Sequence, residues 1–260
     1  MPLQLGVPVS KKVLVLILFF LYANITYSQS RFITLGPHIL NIFKELNSIE
    51  NVVAATEPFN HKEFPTVKSL GYSSSLNLEL IAILNPDYIF YWNDAISTKQ
   101  KSYLKKKYKV FGFSSPNIKS LVNQYEHIAD LVDKSEEYKK LNFSSFQKFN
   151  KYNSSLSFTY FIKLWDDPLF SLNSGFINDF LKKCGGKNIL DFYQPKKSIM
   201  LSLEYLISSN VDVIYSIQNN TKKFSNIIDP IMQSKLINLA EYNLSLPRLS
   251  ILSEIDSICE

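Results

Sequence analysis

Two glutamates, Glu79 and Glu204, occupy matching positions in a stretch of sequence that occurs twice. The first copy runs from Asn77 to Phe90 and the second from Ser202 to Tyr215; they align without a gap, and Leu, Glu, Asn, Asp and Ile recur at equivalent places. Each copy reads as a capped helix, a turn and a buried strand. Asn77 or Ser202 accepts from an otherwise unpaired N–H of the first turn. Asn85 or Asn210 tolerates the left-handed backbone that ends a helix. The glutamate then lies in the first turn, where the helix dipole favours a carboxylate by under about 1 kcal/mol. That local role accounts for one such residue, and leaves open what a matched pair of exposed carboxylates binds.

The other reactive side chains are dispersed. Asp166 and Asp167 are adjacent, but neighbours on one loop point apart, so they read as a turn before Pro168 rather than an acid pair or a cation site. His38, His61 and His127 are scattered. There is no Gly-rich phosphate loop, nucleophile elbow or zinc-ligand spacing. The expectation is therefore binding without catalysis, metal site or cofactor. In two-lobed α/β proteins a ligand sits outside the carboxyl ends of the strands. The expected strand ends carry Pro37, His38, Trp92, Trp165 and Asp166, with Tyr72 and Asn173 as further candidate contacts. A tryptophan in each half suits a flat, partly apolar ligand, because aromatic faces bury much area at little ordering cost.

The elements that position these residues follow from periodicity. Short strands are expected at Arg31–Leu35, Val52–Ala55, Tyr88–Trp92 and Tyr108–Phe113, with helices at His38–Leu46 and Asn93–Lys107 and an irregular segment from Thr56 to Gly71. This βαβ alternation implies a largely parallel sheet. Residues 117–153 are helical by pattern, in two helices broken near Lys134 and Ser135. Beyond them come a strand at Ser157–Leu164, a helix at Phe176–Lys183, a loop at Asp191–Met200 and a strand at Val213–Ile217. Helices at Asn226–Leu239 and Arg248–Cys259 flank an extended stretch at Asn243–Leu246. A second echo, Leu40-Asn41-Ile42-Phe43 against Ile177-Asn178-Asp179-Phe180, supports duplication. The organisation expected is a signal peptide at 1–28, an α/β lobe at 29–116, a helical connection at 117–153 and a second α/β lobe at 154–260.

The signal peptide rests on Lys11 and Lys12 followed by the uncharged apolar run Val13–Ala23, shorter than the roughly 20 residues of a membrane span. An uncleaved anchor is the alternative. The formal charge is +5, but the lysines are spread out and no motif accompanies the densest run, Lys99 to Lys109, which argues against nucleic acid. The two cysteines, Cys184 and Cys259, suggest a disulfide in an exported chain, with two buried free thiols as the alternative.

Several segments resemble the bacterial periplasmic binding proteins that serve ABC importers of vitamin B12, iron-siderophores and haem, most closely the cobalamin-binding, BtuF-like branch. They are Arg31-Phe32-Ile33-Thr34-Leu35-Gly36-Pro37, Asn77 to Asp87, Trp165 to Leu169, Phe176 to Asn188, Ser202 to Leu206, and Pro247-Arg248. The resemblance covers the chain beyond the signal peptide, in order. It implies two α/β lobes joined by a long helix, a small hinge motion, and a periplasmic monomer that delivers cobalamin or a related corrinoid to a permease dimer with its ATPase subunits. It also implies that Glu79 and Glu204 dock onto permease arginines, which grip carboxylates bidentately. A disulfide between Cys184 and Cys259 and a cleft aromatic at Trp92 are implied as well. The segment Thr56–Pro65 lacks the Asp-Tyr-Pro-Pro pattern of many relatives, and Ser198 stands where a cobalamin-binding relative carries a cleft tryptophan. Tyr72 matches a tyrosine that haem-binding relatives use. Haem or a ferric siderophore is thus the alternative ligand; an exported enzyme and a membrane-tethered interaction module are remoter alternatives.

Overall fold

A computed structural model describes residues 30–114, 117–193, 198–217, 224, 235–239, 244 and 246–259. The expected signal peptide, and most of the expected helix at 226–239 and stretch at 243–246, lie outside the described residues. In the first lobe, β1 (Phe32–Leu35) leads into α1 (Pro37–Glu45), followed by β2 (Val52–Glu57), β3 (Lys68–Tyr72), α2 (Leu78–Leu84), β4 (Tyr88–Trp92), α3 (Thr98–Lys107) and β5 (Lys109–Phe113). The five strands form one parallel sheet in the order β3-β2-β1-β4-β5. The segment expected to be irregular thus contains β3. This edge strand buries only Leu70, so its own sequence reads as loop, and pairing to β2 makes it a strand.

The connection is helical and breaks where expected. It consists of α4 (Ile118–Leu131) and α5 (Ser135–Lys151), with Asp133 in the left-handed region at φ 55° between them. The second lobe contains β6 (Phe158–Asp166), β7 (Leu169–Ser171), α6 (Phe176–Lys183), β8 (Gly186–Asn188), β9 (Ile199–Leu201), α7 (Leu203–Ser208), β10 (Val213–Ser216) and β11 (Leu236–Asn238). A 3-10 turn at Ser250–Glu254 and α8 (Ile255–Cys259) follow, in place of one continuous helix from Arg248. The second sheet has the order β11-β10-β6-β7-β9, with β8 also on β6. β7 runs antiparallel to both of its neighbours, β6 and β9, and the other pairings are parallel. Two expectations are corrected here: Ile199–Leu201 is a strand rather than loop, and Leu236–Asn238 is an edge strand rather than the end of a helix.

The duplicated stretch folds as a duplicate. The Asn77 side chain accepts from Leu80 N–H at 2.9 Å and the Ser202 hydroxyl from Tyr205 N–H at 3.2 Å. Asn85 and Asn210 take φ of 43° and 42° at the helix ends. The recurring aspartate does equivalent work in both copies. Asp87 accepts from Arg31 N–H at 2.8 Å and Asp212 from Thr159 N–H at 2.7 Å, tying each helix–strand turn to the start of its lobe's first strand. The Thr159 hydrogen bonds hold the Asp212 carboxyl below the usual range.

One apolar cluster runs through both lobes. It joins Phe32, Phe43 and Phe90 to Leu121, Tyr125 and Ile128 of α4, then to Phe149, Phe180, Tyr160, Leu252 and Ile255. Separate clusters fill the outer faces, around Ile81, Leu84 and Leu104 in the first lobe and around Phe161, Leu206 and Ile214 in the second. A shared core of close-packed side chains resists displacement of one lobe against the other. Cys184, at the C-terminus of α6, and Cys259 in α8 form a disulfide, with Cα atoms 5.2 Å apart.

Candidate ligand-binding site

Parallel strands that share a direction deliver their carboxyl ends to one edge, and a cleft of about 660 Å³ lies there. Trp92 ends β4, Ser114 follows β5, Leu164 lies near the end of β6 and Ile217 follows β10; all four line the cleft, with Phe176 of α6 and Leu172 after β7. Trp92 is half-buried. Its Nε1–H is buried without a hydrogen-bond partner among the described residues. An unsatisfied buried donor costs about 1–3 kcal/mol. The charged lining residues described are both carboxylates, Asp94 and Asp179. Asp179 accepts from Ile118 N–H at 3.1 Å, and burial raises its pKa.

The other expected contacts separate from Trp92. His38 is fully buried beneath the tryptophan, ring centroids 4.5 Å apart in a T-shaped pair, and is outside the cleft lining. Neither ring nitrogen has a partner among the described residues, and burial lowers its pKa to about 4. That value lies below the roughly 6.5 of an unfolded chain, so folding favours the neutral ring. The His38 contribution to stability is therefore present above pH ~6.5 and is lost as pH falls toward 4, up to about 3 kcal/mol in all. Urea melts at pH 7, 5.5 and 4 are expected to show a steeper acid loss in the wild type than in His38→Leu; parallel curves would mean that the ring is not held neutral by burial.

Pro37 lines a neighbouring cavity of about 390 Å³ between α1 and the 58–64 loop, with Lys44, Glu45 and Arg248. Tyr72 is 61% exposed at the end of β3, the far edge of its sheet, with β2 and β1 between it and β4. Asp166 is ion-paired to fully buried Lys163. Asn173 is buried and donates to the carbonyls of Leu190 and Tyr193 at 3.2 and 3.1 Å, so its amide shapes the loop behind the cleft. Trp165 is 56% exposed and lies outside the cleft lining.

Sequence reasoning missed a network that sets one wall. The Glu45 carboxylate accepts from Leu249 and Ser250 N–H at 3.1 and 3.4 Å, and from the hydroxyls of Ser250 and Tyr125. Burial, then the Glu45 charge, raises the Tyr125 pKa well above its usual value, so it remains a donor. The network fastens the chain just after Pro247, which lines the cleft, onto α1 and α4.

The match to a protein-family model described as periplasmic binding protein covers residues 33–238. The chain belongs to the periplasmic binding protein family. Solved structures show the same fold at low identity. An ABC transporter substrate-binding protein from Listeria monocytogenes EGD-e has a TM-score of 0.71 at 18% identity, covering 89% of this chain and 97% of that one. The periplasmic vitamin B12 binding protein BtuF of Vibrio cholerae has a TM-score of 0.64 at 17% identity, covering 88% and 95%. The periplasmic heme binding protein HutB of Vibrio cholerae has a TM-score of 0.73 at 15% identity, covering 89% and 98%. Among curated proteins, none matches the chain significantly.

As a periplasmic binding protein the chain is a substrate-binding component of an ABC transporter and not an enzyme. The family implies a small-molecule ligand and a partnership with a permease and ATPase. No helix among the described residues is long and apolar enough to cross a membrane. Glu79 and Glu204 are both exposed in the first turns of α2 and α7. Each helix feeds its strand through a short turn and so runs antiparallel to it. That places each helix start at the strand edge that also carries the cleft. Hydrogen bonds from its own backbone N–H and from Ser202 hold the Glu204 carboxyl below its usual pKa.

Proposed function

We propose that the protein is exported by the signal peptide at 1–28, captures a corrinoid as a monomer, and delivers it to the permease through Glu79 and Glu204. The lobes at 29–116 and 154–260 each supply one wall of the cleft and one glutamate, and the helices of 117–153 hold them together. The ligand is cargo, so no resident cofactor is involved. The observation that carries the reading is the cleft itself: the Trp92 side chain on one side, apolar Leu164, Leu172 and Phe176 on the other, and carboxylates as the only charges described in its lining. A multiply anionic ferric siderophore, or a ring carrying free carboxylates, would meet Asp94 and Asp179 as like charges. A neutral or cationic chelate would not. The position of Tyr72, beyond β1 and β2 from Trp92, favours a corrinoid over haem held by that tyrosine. Fold neighbours described as binding vitamin B12 or heme keep both ring systems in view.

Calorimetric titration with cyanocobalamin, hemin and ferrichrome tests this. Tight one-to-one binding of cyanocobalamin is expected, weakened about thirtyfold or more by Trp92→Ala, the loss typical of a buried aromatic anchor. Binding of ferrichrome alone would overturn the corrinoid assignment, and binding indifferent to Trp92→Ala would move the site away from the cleft.

A further inference from the structure

The charge of the chain is unevenly placed. Between Ala95 and Tyr125 there are seven lysines and no Asp or Glu, whereas the whole chain carries a formal +5, so the remaining residues sum to −2. The fold keeps the basic stretch at one side of the first lobe. β5 is the edge strand of its sheet, and α3 leads directly into it. Leu104 is the buried residue of α3. On the opposite side of the helix Lys99 and Lys106 lie two turns apart, with Lys105 next to them, and all three are exposed. Lys107 and Lys109, also exposed, carry the row to the start of β5. None of these five lysines is ion-paired to a carboxylate among the described residues. Exposed lysines elsewhere are paired: Lys139 to Glu136, Lys148 to Asp256 and Lys182 to Asp191, each at 2.7 Å. Asp87 precedes Tyr88, the partner of Lys109 across the sheet, but its carboxylate already accepts from Arg31 N–H.

We propose that this face is a peripheral docking surface for a bilayer containing anionic phospholipid, and that it holds the undocked protein at the membrane. The side chains favour lipid over other anions. None of the five lysines lines the cleft or the cavity beside α1, so neither is built around them. The segment has no arginine; the two in the chain are Arg31 and Arg248. An acidic protein partner is gripped best by the planar fork of Arg, and Lys is depleted from protein interfaces. A hydrated charge on a flexible stem suits a field of phosphates without fixed pattern, and a cluster of about four to eight such charges is what an anionic bilayer retains. Tyr103 and Tyr108, half-buried among the lysines, offer rings that are apolar in body and polar at the tip, as suits headgroup level. The negative remainder of the chain is repelled by the same surface, so the basic edge turns toward it. Lys105, Lys106 and Lys107 close α3 and Lys109 opens β5, so the densest charge lies at the sheet edge opposite Trp92. Lipid contact there leaves the cleft open. The inference does not depend on which ligand the cleft takes.

The test is co-sedimentation of the full chain with vesicles of phosphatidylcholine, alone or with about one-third phosphatidylglycerol, in low and high salt. The wild type is compared with Lys99→Gln/Lys105→Gln/Lys106→Gln and with Lys62→Gln/Lys139→Gln/Lys187→Gln, which removes three exposed lysines from other elements. Both triples should melt as the wild type does. The wild type is expected to bind only the anionic vesicles and to leave them in high salt. Each lysine near such a surface contributes roughly fivefold, so the first triple should lose about a hundredfold in partitioning. The second should stay within about threefold, because its lysines lie off the face. Equal losses in both triples would mean that net charge acts rather than this face, and would overturn the proposal. Equal binding to neutral vesicles, or binding that survives high salt, would assign retention to the apolar run Val13–Ala23 and also overturn it. Binding of poly-glutamate without binding to either vesicle would assign the face to an acidic protein instead. If the first triple does not fold, the lipid and salt dependence of the wild type still decides.

Discussion

Replacing both Glu79 and Glu204 by lysine is expected to abolish uptake while leaving ligand affinity unchanged. The two carboxylates are exposed, one on each lobe, and neither belongs to the cleft lining. A permease that grips both reads the position of each lobe, and the shared core keeps their spacing nearly constant. Removing one partner from a hydrogen-bonded interfacial charge pair costs 2–5 kcal/mol, so two losses together weaken docking by about a thousandfold or more. The cost to folding is far smaller. A first-turn glutamate contributes about 0.3–1 kcal/mol to its own helix, and Asn77 and Ser202 still cap both helices. The Glu79→Gln/Glu204→Gln pair controls for charge reversal: it should fold normally and dock weakly. Docking is read directly from binding of the protein to reconstituted permease–ATPase complex, and ligand affinity separately by calorimetry. If the lysine pair docks and supports uptake as well as the wild type, these residues are ordinary helix-start glutamates.

Local features were legible in the sequence and long-range ones were not. The caps at Asn77, Asn85, Ser202 and Asn210 depend on residues within one turn, and the recurrence of Asp87 and Asp212 was visible. What the two aspartates do was hidden, because their partners, Arg31 and Thr159, lie 56 and 53 residues away. β3, β9 and β11 are short edge strands whose own patterns are weak; they exist because a neighbour offers hydrogen bonds. The same division runs through the site. Trp92 was legible because it ends an apolar strand. His38 follows Pro37 into the first turn of α1, and the side of the helix it faces is set by the sheet beneath. The fate of Tyr72 depends on strand order, since β3 lies at the edge away from β4, and sequence pattern carries no such order. Trp165 turns on a single residue inserted in β6 opposite β7, and Glu45 on the return of the C-terminal chain some 204 residues later.

The Cys184→Ala/Cys259→Ala protein is expected to be less stable than the wild type by about 2–5 kcal/mol. The bond spans a sequence separation of 75 residues. Closing a loop of that size removes chain entropy from the unfolded state worth about 4 kcal/mol in the loop-closure account, before any native strain is set against it. Local structure supplies little to replace it. α8 is only five residues long, too short to persist on helix propensity alone. The disulfide also borders an apolar cavity of about 220 Å³, lined in addition by Leu181 and Ile258, so close packing is incomplete on that side. Both cysteines are buried, and alanine avoids placing a hydroxyl there without a partner. For a chain of this size the expected loss corresponds to a melting temperature lower by roughly 10 °C. Wild type melted with and without reductant gives the independent comparison: the reduced wild type should melt near the double variant. Coincident melting of oxidised wild type and double variant would mean that packing of Ile251, Leu252 and Ile255 into the shared core already holds the C-terminal segment, and that the disulfide adds nothing to equilibrium stability.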